Sequence, residues 1–303
     1  MKTSKNIRSF KNSDSEFLSK HYKLFDEIFS DPFKGFMEAE IFEQLKENFN
    51  LTTNQLLVKM LPAAEIFVRA PISNFNVGSI VLAESGNLYF GANIELENCP
   101  LQVTIHSEQA AIINAVLHKE RSIRTLATSV TPCGHCRQFI NELNSANTIK
   151  ILLCDEQELT LDNFFPNGFG PGDLGNSKGL MDKYFQELEI DFVPSLMESE
   201  ALMQAKFSYS PYTKTFSGAA FKLKTGEIFH GTYIENVAFN PSVTPISSAL
   251  VHCIMSGKDI NDISEAVLIE DKDVPNSQIE FSKIILKSIS AVELQVKTAV
   301  KIN

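Results

Sequence analysis

Residues 71–95 read PISNFNVGSIVLAESGNLYFGANIE, and residues 211–235 read PYTKTFSGAAFKLKTGEIFHGTYIE. The two stretches align without gaps at an offset of 140 residues, and Gly78, Gly86 and Gly91 have glycine equivalents in the second stretch. Apolar runs on both sides of Gly86 predict two strands joined by a hairpin turn. The same hairpin at a fixed offset predicts that the chain contains two copies of one domain.

The elements that follow the first hairpin alternate between helix and strand. Apolar spacing predicts helices at residues 106–118 and 133–143, and buried strands at residues 127–130 and 149–153. The order strand, strand, helix, strand, helix, strand indicates a mixed sheet covered by helices.

The regions outside the hairpins complete the organisation of the chain. Helical spacing of apolar residues recurs at residues 17–29, 36–49 and 53–62, with Thr53 as the expected cap of the third run. A stretch dense in Gly and Pro begins at Asn163 and is expected to be irregular. We therefore divide the chain into an N-terminal helical segment (1–60), a first copy (61–162), a linker (163–185) and a second copy (186–303).

Composition restricts the class of protein. The 303 residues are 44% hydrophobic and 21% charged, as in soluble globular proteins, and no apolar run approaches the length of a membrane span. The opening residues lack the apolar region of a secretory signal, and five cysteines are a sparse set, so we expect a reducing cytoplasmic location. A net charge of −10 without a basic run argues against nucleic acid and membrane partners.

Two short clusters carry the residue types of a catalytic metal site. His106 lies two residues before Glu108, and Pro132 directly precedes a Cys-x-x-Cys pair formed by Cys133 and Cys136. Catalytic zinc takes three protein ligands and leaves its fourth position to water. His106 and the two cysteines supply that number at the starts of two predicted helices, whose positive ends stabilise thiolates. We expect one zinc ion per chain.

The charges of these ligands indicate a role for Glu108. Zinc with two thiolates and a neutral imidazole has no net charge, so it acidifies water less than zinc held by three histidines. A carboxylate that takes and returns protons is therefore useful beside the metal, and Glu108 is the expected general base and acid. Two structural alternatives remain: a redox Cys-x-x-Cys pair, and a structural zinc knuckle completed by Cys99 or His135.

His-x-Glu followed by Pro-Cys-x-x-Cys is the pattern of zinc deaminases that act on nucleobases. With the stretches SNFNVGSI, YFGANIE, HSEQAA and TPCGHCRQFINELNS, the chain resembles the cytidine deaminases, in particular the larger bacterial class with two deaminase-like domains per subunit. The resemblance implies an α/β fold, a three-layer α/β/α arrangement with a mixed sheet present twice. It also implies hydrolysis of cytidine and 2′-deoxycytidine to the uridines and ammonia, a reaction of pyrimidine salvage.

The resemblance assigns four further residues to the substrate, a small nucleoside. Asn93 and Glu95 match the pair that holds the sugar 3′-hydroxyl, and Phe75 matches an aromatic that packs on the pyrimidine. Phe169 matches an aromatic that closes the pocket of the other subunit in the family's dimers. From the residues alone, Asn93 and Glu95 lie two apart, so their side chains can face the same way. Without the resemblance, a core position is a commoner interpretation of Phe75 than a base platform, and Phe169 fits a loop anchor as well as a pocket aromatic.

The second copy departs from this pattern. Tyr233 replaces Asn93, Thr215 replaces Phe75, and Thr244 and Ile246 stand where the His and Glu of the motif are expected. No Cys-x-x-Cys occurs after residue 136. The second copy is therefore expected to be architectural, to lack zinc, and to take the place of a neighbouring subunit, with a homodimer presenting four domains.

Two other functions compete with a nucleoside deaminase. One is a deaminase of nucleotides or nucleic acid, which the negative charge and Glu95 disfavour because a carboxylate at the sugar repels phosphate. The other is a zinc-stabilised structural or binding protein without catalytic activity.

Overall fold

The computed structural model describes residues 35–302 and contains two mixed sheets. The predicted helix around Phe17–Phe29 lies outside these residues. The chain begins with β1 (Phe36–Met37), α1 (Ala39–Phe49) and α2 (Thr53–Ala64), followed by the hairpin of β2 (Gly78–Ala83) and β3 (Leu88–Ala92). The first copy continues with α3 (Ser107–Leu117), β4 (Ile123–Thr128), α4 (Gly134–Ile140), β5 (Lys150–Leu153), β6 (Glu158–Thr160) and α5 (Leu161–Phe164).

The second copy repeats this order. It contains β7 (Leu188–Glu189), α6 (Leu196–Lys206), β8 (Ser217–Leu223), β9 (Ile228–Thr232), α7 (Pro245–Met255), β10 (Ile263–Asp271), α8 (Ile279–Ile289) and β11 (Leu294–Lys301). The first sheet has the order β1-β3-β2-β4-β5-β6 and the second β7-β11-β10-β8-β9. In both sheets the hairpin is antiparallel, and one parallel pair, β4 with β5 or β10 with β11, lies beside it.

Two of the repeated glycines allow helices to lie against both faces of each sheet. A Cβ atom on Gly91 would lie 2.1 Å from a backbone nitrogen of α3, and one on Gly231 would lie 2.1 Å from a backbone nitrogen of α7. On the opposite face, a Cβ on Gly78 would lie 2.8 Å from a backbone oxygen of α2. Each sheet is therefore the middle layer of an α/β/α sandwich, and the predicted fold class is confirmed.

The hairpin turns are also equivalent. Gly86 and Gly226 both adopt φ of +93°, in the left-handed region that side chains with a Cβ rarely enter. Close helix packing requires glycine at Gly78 and Gly91, and the turn requires glycine at Gly86. The structure thus explains why the glycine spacing is the same in both copies.

The first copy's N-terminal elements belong to its layers. β1 pairs with β3, and α2 packs against β2 through buried residues that include Ala63 and Ala64. Thr52, rather than Thr53, caps α2, because its hydroxyl accepts the N–H of Gln55 at 3.2 Å. The helix also continues past Pro62 to Ala64, since burial of the last turn against the sheet offsets the backbone hydrogen bond that proline cannot donate.

One hydrophobic cluster joins the two copies. Helix α3 of the first copy packs against α7 of the second, and the cluster of buried residues extends from β1 to α8. The segment around the predicted linker lies along the first copy, where the N–H of Leu180 donates to the carbonyl of Glu142 at 2.7 Å. The division into a helical segment, two copies and a linker stays a prediction. No helix within residues 35–302 is long and apolar enough to cross a bilayer.

Candidate active site

The three expected metal ligands come together from the starts of two helices. His106 is the N-cap residue of α3, Cys133 is the N-cap residue of α4, and Cys136 lies in the first turn of α4. The His106 Nδ1 atom lies 3.4 Å from the sulfur of Cys133 and 3.2 Å from that of Cys136, and the sulfurs are 3.5 Å apart. These are the residues of a group whose potential ligand atoms all lie within 4.8 Å of one another.

This geometry fits zinc. Zn–S distances of about 2.3 Å and Zn–N distances of about 2.0–2.1 Å at tetrahedral angles place neighbouring ligand atoms about 3.5–3.8 Å apart. The three separations lie at this value or a few tenths of an ångström below it. The hydrogen bond between the two thiols lowers the pKa of Cys133 and raises the pKa of Cys136, so Cys133 is the more readily ionised ligand of the pair.

The two structural alternatives for the cysteine pair are not supported. Cys99 and His135 are absent from the ligand group found within residues 35–302, although the His135 ring lies 5.1 Å from that of His106. The second residue of α3 is Glu108, a carboxyl group close to the expected ligands. Neither a redox cysteine pair nor a structural zinc knuckle requires such a group.

Glu108 is buried at the same place. Its side chain is 4% exposed and accepts a hydrogen bond from the Ser107 hydroxyl at 3.0 Å. Burial raises the pKa of Glu108 above its ordinary value, while hydrogen bonds from its own backbone, Cys136 and Ser107 oppose that shift. A carboxyl group with a raised pKa takes up a proton more readily than an ordinary one, as a general base requires.

A cavity of about 550 Å³ connects this cluster with the predicted nucleoside residues. Its size lies within the range of about 300–1,000 Å³ that is usual for small-molecule sites. It is lined by Ser73, Phe75, Val77, Asn93, Glu95, Thr104, His106, Ser107, Glu108, Val130, Thr131 and Cys133. The three first-copy residues that the resemblance assigned to the nucleoside are thus in one cavity with Glu108.

Three hydrogen bonds from Ile72 and Ser73 fix the carboxylate of Glu95. Its carboxylate accepts the backbone N–H groups of Ile72 at 2.9 Å and Ser73 at 3.0 Å, and the Ser73 hydroxyl. Burial alone raises the pKa of Glu95, but the bonds from Ser73 and Ile72 outweigh it and lower the pKa below the ordinary value. Glu95 therefore presents a negative charge to the cavity at neutral pH.

Asn93 shapes the neighbouring segment. Its amide oxygen accepts the N–H of Val77 at 2.9 Å, and its amide nitrogen donates to the carbonyl of Phe75 at 2.9 Å. The Phe75 side chain is 58% exposed at the cavity, which excludes the core position that its sequence alone allowed.

Phe169 lies outside this cavity, in the predicted linker. Its carbonyl accepts the side-chain amides of Gln138 at 2.8 Å and Asn141 at 2.9 Å, so helix α4 anchors its backbone. Its ring is 45% exposed and does not line the cavity of its own chain.

The second copy has equivalent hydrogen bonds at Glu235, but Thr244 and Ile246 replace the His and Glu of the motif. Glu235 accepts the N–H of Tyr212 at 2.8 Å and the hydroxyl of Thr213, as Glu95 does with Ile72 and Ser73. Thr244 is the N-cap residue of α7, where its hydroxyl accepts the N–H of Ser247 at 3.1 Å, and Ile246 is fully buried. The expected equivalence of Thr244 with His106 is confirmed.

The sequence did not assign six residues that line the cavity, namely Ser73, Val77, Thr104, Ser107, Val130 and Thr131. A signal for Ser73 existed, because the 140-residue offset matches it with a second hydroxyl residue, Thr213. Nothing in the residue types of the other five distinguishes them as site residues.

Comparison with known proteins agrees with this site. The family model described as "Cytidine and deoxycytidylate deaminase zinc-binding region" matches residues 52–152, and a second model of the same description matches residues 161–283. The cytidine deaminase of Proteus mirabilis is 40% identical over 88% of this chain and 90% of its own length. That of Photorhabdus laumondii is 42% identical over 86% of this chain and 88% of its own.

A solved structure of the cytidine deaminase from Burkholderia pseudomallei covers 39% of this chain and 100% of its own, at 25% identity and a TM-score of 0.36. The two curated relatives match nearly the whole described chain rather than one copy of it. This chain belongs to the cytidine deaminase family.

Proposed function

We propose that this protein hydrolyses cytidine and 2′-deoxycytidine to uridine and 2′-deoxyuridine, releasing ammonia. The observation that carries the proposal is one cavity lined by Glu108, two of the zinc ligands and the charged Glu95. The relatives in Proteus and Photorhabdus are named cytidine deaminases, which supports the same substrate here.

The residues divide the work by their chemistry. Zinc, when held by His106, Cys133 and Cys136, leaves one position for water and makes that water more acidic. Glu108 accepts a proton from the water that attacks C4 of the pyrimidine, and it returns protons to N3 and to the departing amine. The oxygen of water replaces the amino nitrogen, so one water is consumed for each ammonia released.

Glu95 and Asn93 support the choice of a free nucleoside. Because its pKa is lowered, Glu95 is ionised, and a carboxylate accepts charge-assisted hydrogen bonds from sugar hydroxyls and repels a phosphate attached to that sugar. Asn93 holds the backbone on which Phe75 stands, and the Phe75 ring offers an apolar surface to the pyrimidine.

The test is ammonia release from cytidine, deoxycytidine, dCMP and a single-stranded oligonucleotide, with zinc measured in the same sample. We expect the nucleosides to be turned over fastest at about one zinc per chain. Faster turnover of dCMP or the oligonucleotide contradicts the nucleoside assignment. Zinc-loaded protein that leaves all four untouched supports the non-enzymatic alternative.

We also propose that the protein is a homodimer in which Phe169 closes the partner's cavity. Three exposed apolar side chains, those of Ile72, Phe75 and Phe169, support the presence of surface that a partner subunit covers. Mixed dimers of Glu108→Gln and Phe169→Ala chains test the arrangement. If Phe169 acts across the interface, one site of the mixed dimer is intact. If it acts within its own chain, both sites are impaired, and the activity per Phe169→Ala chain stays at the level of the Phe169→Ala protein alone.

A cytoplasmic role in pyrimidine salvage completes the proposal. All five cysteines are free of disulfides, as expected in a reducing compartment, and the product nucleosides are ordinary salvage intermediates. Fractionation of cells that express the chain, with growth on cytidine as the pyrimidine source, tests both statements.

A further inference from the structure

A buried carboxylate joins the zinc-binding helix to the second copy. Glu142 lies just beyond the end of α4 and is fully buried. Its Oε1 atom accepts the hydroxyl of Tyr209 at 2.7 Å and that of Tyr212, and its Oε2 atom accepts the N–H of Val237 at 2.7 Å. Burial raises the pKa of Glu142, and the three bonds oppose that shift. All three donors belong to the second copy.

A loop of the second copy contacts both helices that carry zinc ligands. We call residues 236–242 the support loop. The side-chain amide of Asn236 donates to the carbonyl of Gln138 in α4 at 3.0 Å. The carbonyl of Pro241 accepts the side-chain amide of Gln109 in α3 at 3.3 Å.

Gln109 connects this loop to a zinc ligand directly. While its nitrogen donates to the support loop, its Oε1 atom accepts the backbone N–H of His106 at 3.2 Å. The amide is 3% exposed, so water does not compete with these bonds. A single side chain therefore links the position of His106 to the second copy.

The support loop is closed by its own hydrogen bonds. The N–H of Asn236 donates to the Ser242 hydroxyl at 3.0 Å, the N–H of Ala238 donates to the Asn236 side chain at 3.0 Å, and the N–H of Ser242 donates to the carbonyl of Phe239 at 2.9 Å. A loop constrained in this way transmits displacement of the second copy to the two helices rather than absorbing it.

We propose that the second copy is a positioning device for the zinc ligands, acting on His106 through Gln109 and on α4 through Glu142 and Gln138. A three-ligand site needs His106 and the two cysteines at a fixed separation, although they start different helices. The support loop touches both helices and so fixes one against the other. This inference deepens the proposed function, on which its catalytic readout rests.

The first test removes the hydroxyl groups of Tyr209 and Tyr212 and keeps the packing of their aromatic rings. In the zinc-loaded full chain, Tyr209→Phe/Tyr212→Phe deprives Glu142 of both phenol hydrogen bonds. Because Glu142 acts on the ligands through α4 rather than by direct contact, we expect zinc transfer to a coloured chelator to be about tenfold faster, at the lower end of the range of about 10- to 100-fold for direct partners of metal ligands. The measurement is made well below the unfolding temperature. We also expect kcat for cytidine to fall while KM changes less than twofold.

The matched control is Glu270→Gln. Glu270 is a buried carboxylate of the second copy that accepts the Ser277 hydroxyl at 2.7 Å and the N–H of Gln278 at 2.6 Å, outside the support loop. It is expected to lower stability while leaving the rate of zinc loss at the wild-type value. Asn236→Ala, which removes a single side chain from the loop, provides a second variant if the double tyrosine change prevents folding.

The outcomes separate this proposal from a purely structural joint. If the tyrosine and Asn236 variants lower the unfolding temperature but lose zinc at the wild-type rate, the positioning role is overturned. Zinc transfer is measured without substrate, so it gives the same answer whether or not the protein turns over cytidine. Absence of turnover in the wild type therefore contradicts the proposed function alone.

Discussion

Replacing Glu108 with glutamine isolates the proton-transfer step of the proposed reaction. The side chain is 4% exposed and is bonded to the Ser107 hydroxyl, and glutamine keeps the shape and a polar oxygen for that bond. What it loses is the ability to take a proton. General acid–base catalysis contributes about 10²–10⁴-fold, so we expect kcat to fall by that factor, equivalent to roughly 3–5 kcal/mol of barrier.

The fall in kcat is expected without loss of metal or fold. Glu108 is outside the three-ligand group, and burial raises its pKa, so a neutral amide in its place relieves an unfavourable charge rather than creating one. The assay is ammonia release at saturating cytidine with zinc quantified in each sample. Glu270→Gln, another buried carboxyl of similar exposure, is the control and should keep wild-type kcat. A Glu108→Gln protein with full zinc and kcat within tenfold of wild type refutes the reasoning.

Three further predictions concern the sugar contact, the helix packing and acid stability. Glu95→Gln should lower kcat/KM for cytidine about 10- to 150-fold, since a hydrogen bond to a charged group is worth about 1.5–3 kcal/mol. The equivalent change in the second copy, Glu235→Gln, should lower only the unfolding temperature. Gly91→Ala should destabilise the protein by about 3 kcal/mol or more in urea unfolding, because its Cβ would lie 2.1 Å from a backbone atom; Gly172→Ala, which meets no atom within 4 Å, should be nearly neutral. Burial lowers the pKa of His252 to about 3, so the folded chain holds it neutral while the unfolded chain protonates it below about pH 6.5. The free energy of unfolding should therefore fall as pH decreases from about 6.5 towards 3, by up to about 1.4 kcal/mol per pH unit from this group. The fall should be shallower in His252→Asn, and equal pH slopes in the two proteins contradict the assignment.

The sequence was sufficient to predict the parts of the fold that local patterns determine. The offset of 140 residues predicted the paired hairpins, and residue types predicted the zinc ligands because few side chains bind that metal. Phe75 was ambiguous because exposure is a property of the assembled surface, and apolar spacing alone does not report it.

Contacts between the copies were beyond sequence reasoning. Glu142, Tyr209 and Val237 are separated by tens of residues, and each type is unremarkable at its own position. Only the assembled contact between the two copies brings their polar groups together. The helix boundary near Pro62 was misjudged for the same reason, since burial against a sheet overrides a local preference.

Comparison of His106 with Thr244 shows that the metal ligand gives up a helix-capping hydrogen bond that the second copy makes. At Thr244 the hydroxyl satisfies a backbone N–H at the start of a helix, an arrangement typically worth about 1 kcal/mol compared with alanine. At the equivalent place in the first copy, the imidazole Nδ1 atom faces two sulfurs. Ile246, fully buried, stands where the first copy buries a carboxyl group. Because Thr244 and Ile246 supply a capping bond and a buried apolar side chain, we expect the metal-free first copy to be the less stable half, and zinc to raise the melting temperature chiefly by stabilising it.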